Sequence, residues 1–359
     1  MILRAQLEGN NNRDSSSVAM SINTILFITG CFMIYQVIGS HGLTLRTYTP
    51  ASFKAPSPNV ITSNVLPLTR AAGKGSQNGA VLYALRNNRP IPRYGTANLT
   101  SVEGNEFIAS ARFGNQELEL VVDTGSADTW VAAAGFTCMD IYDFLEFPES
   151  WYGFGTLYES NSSTTFVPIP DENIWVRYGD GRWGVGNFGF EDVTIAGVTV
   201  NQQIGVANLT GWTSDYPYSG LLGLAYAGLT NAYPGESDEN DSNANIMHYD
   251  PIFTSMYKQN VVPPIFSIAL NRGNGANGGY LALGGLPPVS FIQEFASTPI
   301  QILNVDHITG ATNNTARQFY LFEVDGLVYH NGSQTLADSA PWKKTENGTG
   351  FQTIIDSGE

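Results

Sequence analysis

Apolar and polar positions along this chain fall into short alternating or wholly apolar runs, not the three-to-four spacing of helices, and they predict a β protein. Strand-like runs are Phe107 to Phe113, Leu118 to Val122, Asn173 to Tyr178, Val193 to Val200 and Phe266 to Leu270. Gly-Asn and Gly-Asp pairs between such runs predict hairpins. A single helix is expected after Asp250 as N-cap, with Pro251 at the first helical position and Ile252, Phe253, Met256 and Tyr257 on one face. The run Gly278 to Gly285, followed by Leu286-Pro287-Pro288, reads as a strand ending at a domain boundary.

The N-terminal part has a different texture. Val18 to Gly39 is apolar apart from a few Ser, Thr, Asn and Gln, which reads as a secretory signal starting in effect at Met20 and cut near Val37-Ile38-Gly39. It is also long enough to span a bilayer, so a retained signal anchor stays open. From His41 to about Arg93 the chain is rich in Pro, Ser and Asn with little periodicity, as a prosegment or linker is. The expected organisation is 1–40 signal or anchor, 41–94 basic prosegment, 95–288 first lobe and 289–359 the start of a second.

Composition sharpens this division. With 42% hydrophobic and 14% charged positions in 359 residues, the chain can bury a large core. The net charge of −15 opposes nucleic acid as a partner. It is also unevenly spread: His41 to Val102 holds seven cations (Arg46, Lys54, Arg70, Lys74, Arg86, Arg89, Arg93) and no acid, whereas eight Lys/Arg face thirty Asp/Glu from Tyr94 onward. A basic segment joined to an acidic body fits either a solvated linker or a prosegment held over an acidic cleft until carboxylates protonate. Sequons at Asn98, Asn161, Asn208, Asn240, Asn313, Asn331 and Asn347 fit the secretory route. Cys31 would leave with a signal peptide, and Cys138 alone cannot build a disulfide framework.

The chemistry is carried by two copies of one pattern. Leu118 to Val122 becomes wholly apolar just before Asp123, which delivers that carboxylate into a desolvated place where donors are required. Thr124 and Ser126 supply hydroxyls, and Gly125 permits a turn that brings N–H groups close. Alone, Asp-Thr-Gly could be an Asx turn at a strand end. Phe351 to Ile355 leads in the same way into Asp356-Ser357-Gly358. Two carboxylates delivered to one place cannot both ionise easily and share a proton, as in aspartic proteases generally. One can then draw a proton from water while the other protonates a substrate carbonyl, which is amide hydrolysis without metal, cofactor or covalent intermediate.

These segments resemble the pepsin family of aspartic peptidases, most closely its secreted fungal members. Asp123 to Val131, with Trp130 seven residues after the Asp, is similar to the first active-site segment. Trp175 to Gly181 resembles the flap hairpin, and Ser219 to Ala225 the apolar-apolar-Gly segment that crosses beneath the first Asp loop. The resemblance implies an all-β, bilobal, pepsin-like acid protease fold whose cleft takes protein or peptide substrates as an added strand. It implies catalytic Asp123 and Asp356, and substrate contacts from Thr124, Gly125, Ser126, Trp130, Tyr178, Gly179, Asp180 and Gly358. Tyr178 would close over substrate and hydrogen-bond toward Trp130. Asp180 would accept a substrate Lys, as in fungal members, or merely favour the hairpin turn. The prosegment would act as an intramolecular inhibitor of a monomeric, secreted zymogen, with membrane-anchored or vacuolar placement as alternatives.

Two other signals are set aside. Gly179 to Gly184 satisfies a G-x-G-x-x-G dinucleotide pattern, but the next residues, Val185-Gly186-Asn187-Phe188-Gly189, cannot open a helix. The histidines His41, His248, His307 and His330 lack the spacing of a zinc site. The chain also departs from the family it resembles. Glu359 stands where members place Thr or Ser and continue for roughly a hundred residues of second lobe. The expectation is a fragment or mis-spliced gene model with an intact first lobe, an incomplete second one and little activity as written, or a peptide-binding pseudoprotease. Related fungal sequences often pair a Cys at the position of Cys138 with one before a Phe-Gly. Trp151 to Gly155 has none, so that loop is expected to be mobile.

Overall fold

The computed structural model describes residues 24–29, 32–35, 42–46, 62–70, 106–148, 151–212, 217–270, 277–290, 295–301, 317–324, 326–330, 335–338 and 351–358. The expected signal cleavage site, most of the basic segment, four of the sequons and Glu359 lie outside the described residues. The chain divides into two compact units, one of 1–68, 262–273 and 277–355, the other of 69–261, 274–276 and 356–359. Leu286-Pro287-Pro288 lies within the first of these.

In the first unit, β1 (Thr24–Thr29), β2 (Phe32–Tyr35) and β3 (Gly42–Arg46) are followed by β4 (Val65–Arg70), which runs on into the second unit. The first two strands fall inside the N-terminal apolar segment, and β1 pairs antiparallel with Ile265–Leu270. Among the described residues no helix is long and apolar enough to cross a membrane.

The second unit carries β5 (Phe107–Phe113), β6 (Gln116–Asp123), β7 (Trp130–Cys138), β8 (Val167–Arg177), β9 (Trp183–Ile195), β10 (Val198–Thr210), β11 (Gly220–Gly223) and β12 (Ala232–Pro234). Their order is β12-β8-β9-β10-β7-β11-β6-β5, and β5 also pairs with β9, so the sheet curls back on itself. Closing the sheet removes an exposed edge and encloses a core of Ile108, Val121, Trp130, Ile174, Val176, Phe188, Trp212 and Leu221. The β5–β6 hairpin turns at Gly114-Asn115, where Gly114 takes a φ of 57°. Along β6, Leu118 and Leu120 are buried while Glu117 and Glu119 are exposed, and the alternation then gives way to unbroken burial from Leu120 to Asp123. That change of pattern marks where the strand leaves a one-sided surface and enters the interior.

Three expectations need correction. Val193 to Val200 is not one strand: Ala196 and Gly197 take φ of 51° and 78°, and Ile195 faces Val198 across a two-residue hairpin. A pair of left-handed residues matches the twist of the flanking strands, so an apolar run with no polar break can still turn. The strand expected from Asn173 begins earlier, at Val167, and passes an irregularity near Asp171, which itself has a φ of 56°. Helix α1 (Ile252–Lys258) is capped by Pro251, not Asp250. Pro251 has extended ψ and its carbonyl already accepts the Ser255 N–H, while Asp250 instead holds Lys258 Nζ at 2.7 Å. Ile252, Phe253 and Met256 are buried as expected, whereas Tyr257 is half-buried.

Beyond the helix lie β13 (Ile265–Leu270), β14 (Asn277–Leu283), β15 (Phe295–Thr298), β16 (Leu321–Val324), β17 (Gly326–His330), β18 (Thr335–Asp338) and β19 (Phe351–Ile354), all in the first unit. There β13 pairs with β14, and β16 pairs antiparallel with β19, which ends just before Asp356. The all-β class read from the sequence is found.

Candidate active site

Asp123 terminates β6 and is only 6% exposed. Its carboxylate is met by the loop it opens: Gly125 N–H donates to Oδ1 at 2.7 Å and Ser126 Oγ donates to Oδ2 at 2.5 Å. The loop is supported by β11, which inserts between β6 and β7, parallel to the former and antiparallel to the latter. Leu224 N–H reaches Asp123 C=O at 2.8 Å and Ala225 N–H reaches Ser126 C=O at 2.8 Å. The crossing segment therefore satisfies backbone acceptors that a buried loop would otherwise leave empty. Gly220 and Gly223 permit this passage, because a Cβ at either would overlap the backbone of 127–131.

Residues 356–359 group with the same unit as Asp123. Asp356 repeats the local chemistry, with Gly358 N–H on its Oδ1 at 2.9 Å, but its side chain is exposed. The two loops are packed reciprocally. A Cβ on Gly125 would overlap the Asp356 carboxylate, and a Cβ on Gly358 would stand 2.7 Å from Asp123 Cγ. Ser357 ties them further: its Oγ accepts from Thr124 N–H at 3.1 Å and donates to Val122 C=O at 2.7 Å. Thr124 itself is fully buried. Burial, the Asp356 charge and a hydrogen bond between the two carboxyls push the Asp123 carboxyl up to about 7, against the opposing donors Ser126 and Gly125. Two carboxyls this close resist losing both protons together, and they titrate as a pair.

Tyr178, Gly179 and Asp180 lie at the turn between β8 and β9. Trp130 Nε1 donates to Tyr178 Oη at 2.8 Å, and burial raises the Tyr178 phenol well above its usual range. Gly179 and Asp180 form the exposed hairpin tip. The Asp180 carboxylate is engaged within its own turn: Oδ1 accepts from Arg182 N–H at 2.9 Å and Oδ2 pairs with Arg182 Nε. The structure thus brings together Asp123, Asp356, Thr124, Gly125, Ser126 and Gly358, and places Trp130, Tyr178, Gly179 and Asp180 on the neighbouring hairpin and its support.

Several contributors were missed. Ser357 was signalled by its hydroxyl standing at the same place in Asp-Ser-Gly as Thr124 in Asp-Thr-Gly. Trp212 packs edge-on against Trp130 at 5.6 Å and Tyr178 at 5.1 Å, and nothing in its local sequence announces that. Asp128 is buried and accepts from Asn231 N–H (3.0 Å), Asn231 Nδ2 (2.7 Å) and Tyr249 Oη (2.7 Å), long-range partners invisible to spacing. Burial raises its carboxyl above the usual range despite those donors. Cys138 is a free, buried thiol whose Sγ lies 3.2 Å from Trp212 C=O. The nearby loop is fastened by rings instead, Phe136 lying 5.0 Å from Tyr152 and 4.9 Å from Phe154.

The family model for eukaryotic aspartyl proteases matches residues 112–359. A "Probable aspartic-type endopeptidase" of Aspergillus fumigatus is 41% identical over 319 residues, 88% of this chain and 66% of that protein. Cathepsin E of Aquarana catesbeiana is 29% identical over 192 residues, 52% of this chain and 41% of that protein. Secreted aspartic protease 5 of Candida albicans is 27% identical over 250 residues, 63% of this chain and 54% of that protein. The chain spans just under two thirds of the length of the first of these relatives and about half or less of the others. With a matching family model over most of its length and the paired Asp loops in contact, this chain belongs to the eukaryotic aspartyl protease family.

Proposed function

We propose that this protein is a pepsin-like aspartic endopeptidase that hydrolyses peptide bonds at acidic pH with a water held between Asp123 and Asp356. The observation that carries the reading is the reciprocal packing of Gly125 against Asp356 and Gly358 against Asp123. It sets the two carboxyls side by side, each against the glycine of the opposite loop. With one proton between them, one carboxylate withdraws a proton from water while the other donates to the carbonyl oxygen. Tyr178, held by Trp130, would lie over the substrate, and an extended peptide would be bound through its backbone.

The same reading extends to a monomeric zymogen that enters the secretory route. Its support is the acid-free basic stretch from His41 to Val102, the apolar segment before it and the exposed sequons Asn161, Asn208 and Asn240. The relative from Candida albicans is named as secreted.

The test is cleavage of denatured protein by the purified chain between about pH 3 and pH 7. Activity confined to acid, blocked by a statine-type transition-state analogue and abolished in Asp123→Asn, is expected. Binding of the analogue without any cleavage would instead make this a peptide-binding member of the family.

A further inference from the structure

The hairpin turn requires only its own residues. Tyr178 N–H reaches Arg182 C=O at 2.8 Å, Gly181 N–H reaches Tyr178 C=O at 3.0 Å, and Gly181 supplies the left-handed φ of 94°. Nothing in that geometry calls for a cation at 182, yet the Arg182 guanidinium is held from three sides. Nε pairs with Asp180 inside the hairpin. Nη1 reaches outside it to Glu106 Oε1 at 3.3 Å, just before β5. The guanidinium carbon lies 4.0 Å over the centre of the Trp212 ring, just past the end of β10.

Trp212 is no passive platform. It is 2% exposed, its Nε1 donates to Tyr218 Oη at 2.6 Å, and it meets both Tyr178 and Trp130 edge-on. The cation that grips the hairpin therefore rests on the ring against which Tyr178 is packed. A planar guanidinium can stack on the ring and fork to carboxylates at once, which an ammonium cannot.

We propose that Arg182 is a latch for the flap. By bridging the hairpin to Glu106 and Trp212, it keeps Tyr178 in register on Trp130 and acts as a positioning residue, not a catalytic one. The inference rests on the endopeptidase reading for its kinetic consequence but not for its structural one. Loss of the latch lowers the fraction of chains with a closed hairpin, and apparent substrate affinity falls with that fraction.

Two measurements on the full chain separate these levels. Hydrogen exchange at the Tyr178 and Gly181 amides should accelerate about tenfold in Arg182→Ala and by less in Arg182→Lys, which keeps charge but loses the stack. Peptide hydrolysis by Arg182→Ala should show KM raised about tenfold with kcat within about twofold of the parent. Glu106→Gln, which leaves the arginine and its stack in place, should move both readouts the same way by about threefold and serves if Arg182→Ala does not fold. Unchanged exchange in both Arg182→Ala and Glu106→Gln overturns the latch. If the parent chain proves inactive, the exchange measurement still decides it, and the endopeptidase reading fails separately.

Discussion

The loop of Asp123 and the loop of Asp356 begin from the same chemistry and end in different environments. Each closes a strand with Asp, a hydroxyl residue and Gly, and in each the glycine N–H donates to the carboxylate, at 2.7 Å and 2.9 Å. Asp123 then sits at the end of an eight-residue strand, with β11 threaded beside it and Ser126 on its second oxygen. Asp356 follows a four-residue strand paired with β16, and its side chain is exposed. A short motif sets the donors to a carboxylate, while the elements packed around it set its desolvation.

Substituting the two aspartates gives the largest test of this comparison. Asp123→Asn and Asp356→Asn should each lower kcat by about a thousandfold or more, since neither carboxyl can serve as both acid and base, and steady-state peptide hydrolysis would show it. A mild loss in Asp356→Asn beside a severe one in Asp123→Asn would break the pairing. The glycines come next. Gly125→Ala forces a methyl into the Asp356 carboxylate, and Gly358→Ala does so against Asp123, so each should cost about a hundredfold in kcat/KM with backbone φ unaffected.

The buried carboxyl of Asp123 should also make stability depend on pH. Asp123 is protonated in folded and unfolded chains alike below its ordinary value of 3.8, but up to about 7 only the folded chain keeps that proton. Folding stability should therefore fall as pH rises across that window, by on the order of a few kcal/mol, and level off above it. Denaturant unfolding at several pH values should show this slope reduced in Asp123→Asn. It will not vanish, because buried Asp128 is shifted in the same direction.

Smaller effects refine the picture. Ser357→Ala removes two buried hydrogen bonds, from Thr124 N–H and to Val122 C=O, and should cost about 1–3 kcal/mol in denaturant melts. Tyr178→Phe removes only the bond to Trp130 while keeping the ring against Trp212, and about 1 kcal/mol or a few-fold in KM is expected.

Much of the site was legible because its elements are local. The apolar run into Asp123, the Asp-Thr-Gly turn, Trp130 seven residues on and Tyr178 before Gly-Asp-Gly can all be read without tertiary information, and the structure shows the buried strand end, the Gly125 N–H on Asp123 and the Trp130–Tyr178 hydrogen bond. Illegible were the contacts made across long sequence separations. Ser357 bonds Thr124 across 233 residues and Tyr249 bonds Asp128 across 121, and no spacing rule links such partners. The Ala196-Gly197 turn was missed for a different reason: backbone handedness, not polarity, reversed the chain there.

The sequence by itself determined the β class, the paired Asp-hydroxyl-Gly turns and the residues able to serve them, because side-chain alternation and turn chemistry act over a few residues. The tertiary structure alone decided that Asp356 would be the exposed partner and that Arg182 would lie on Trp212. Burial and charge proximity depend on which distant strands meet, and they raise the Asp123 carboxyl above its ordinary range.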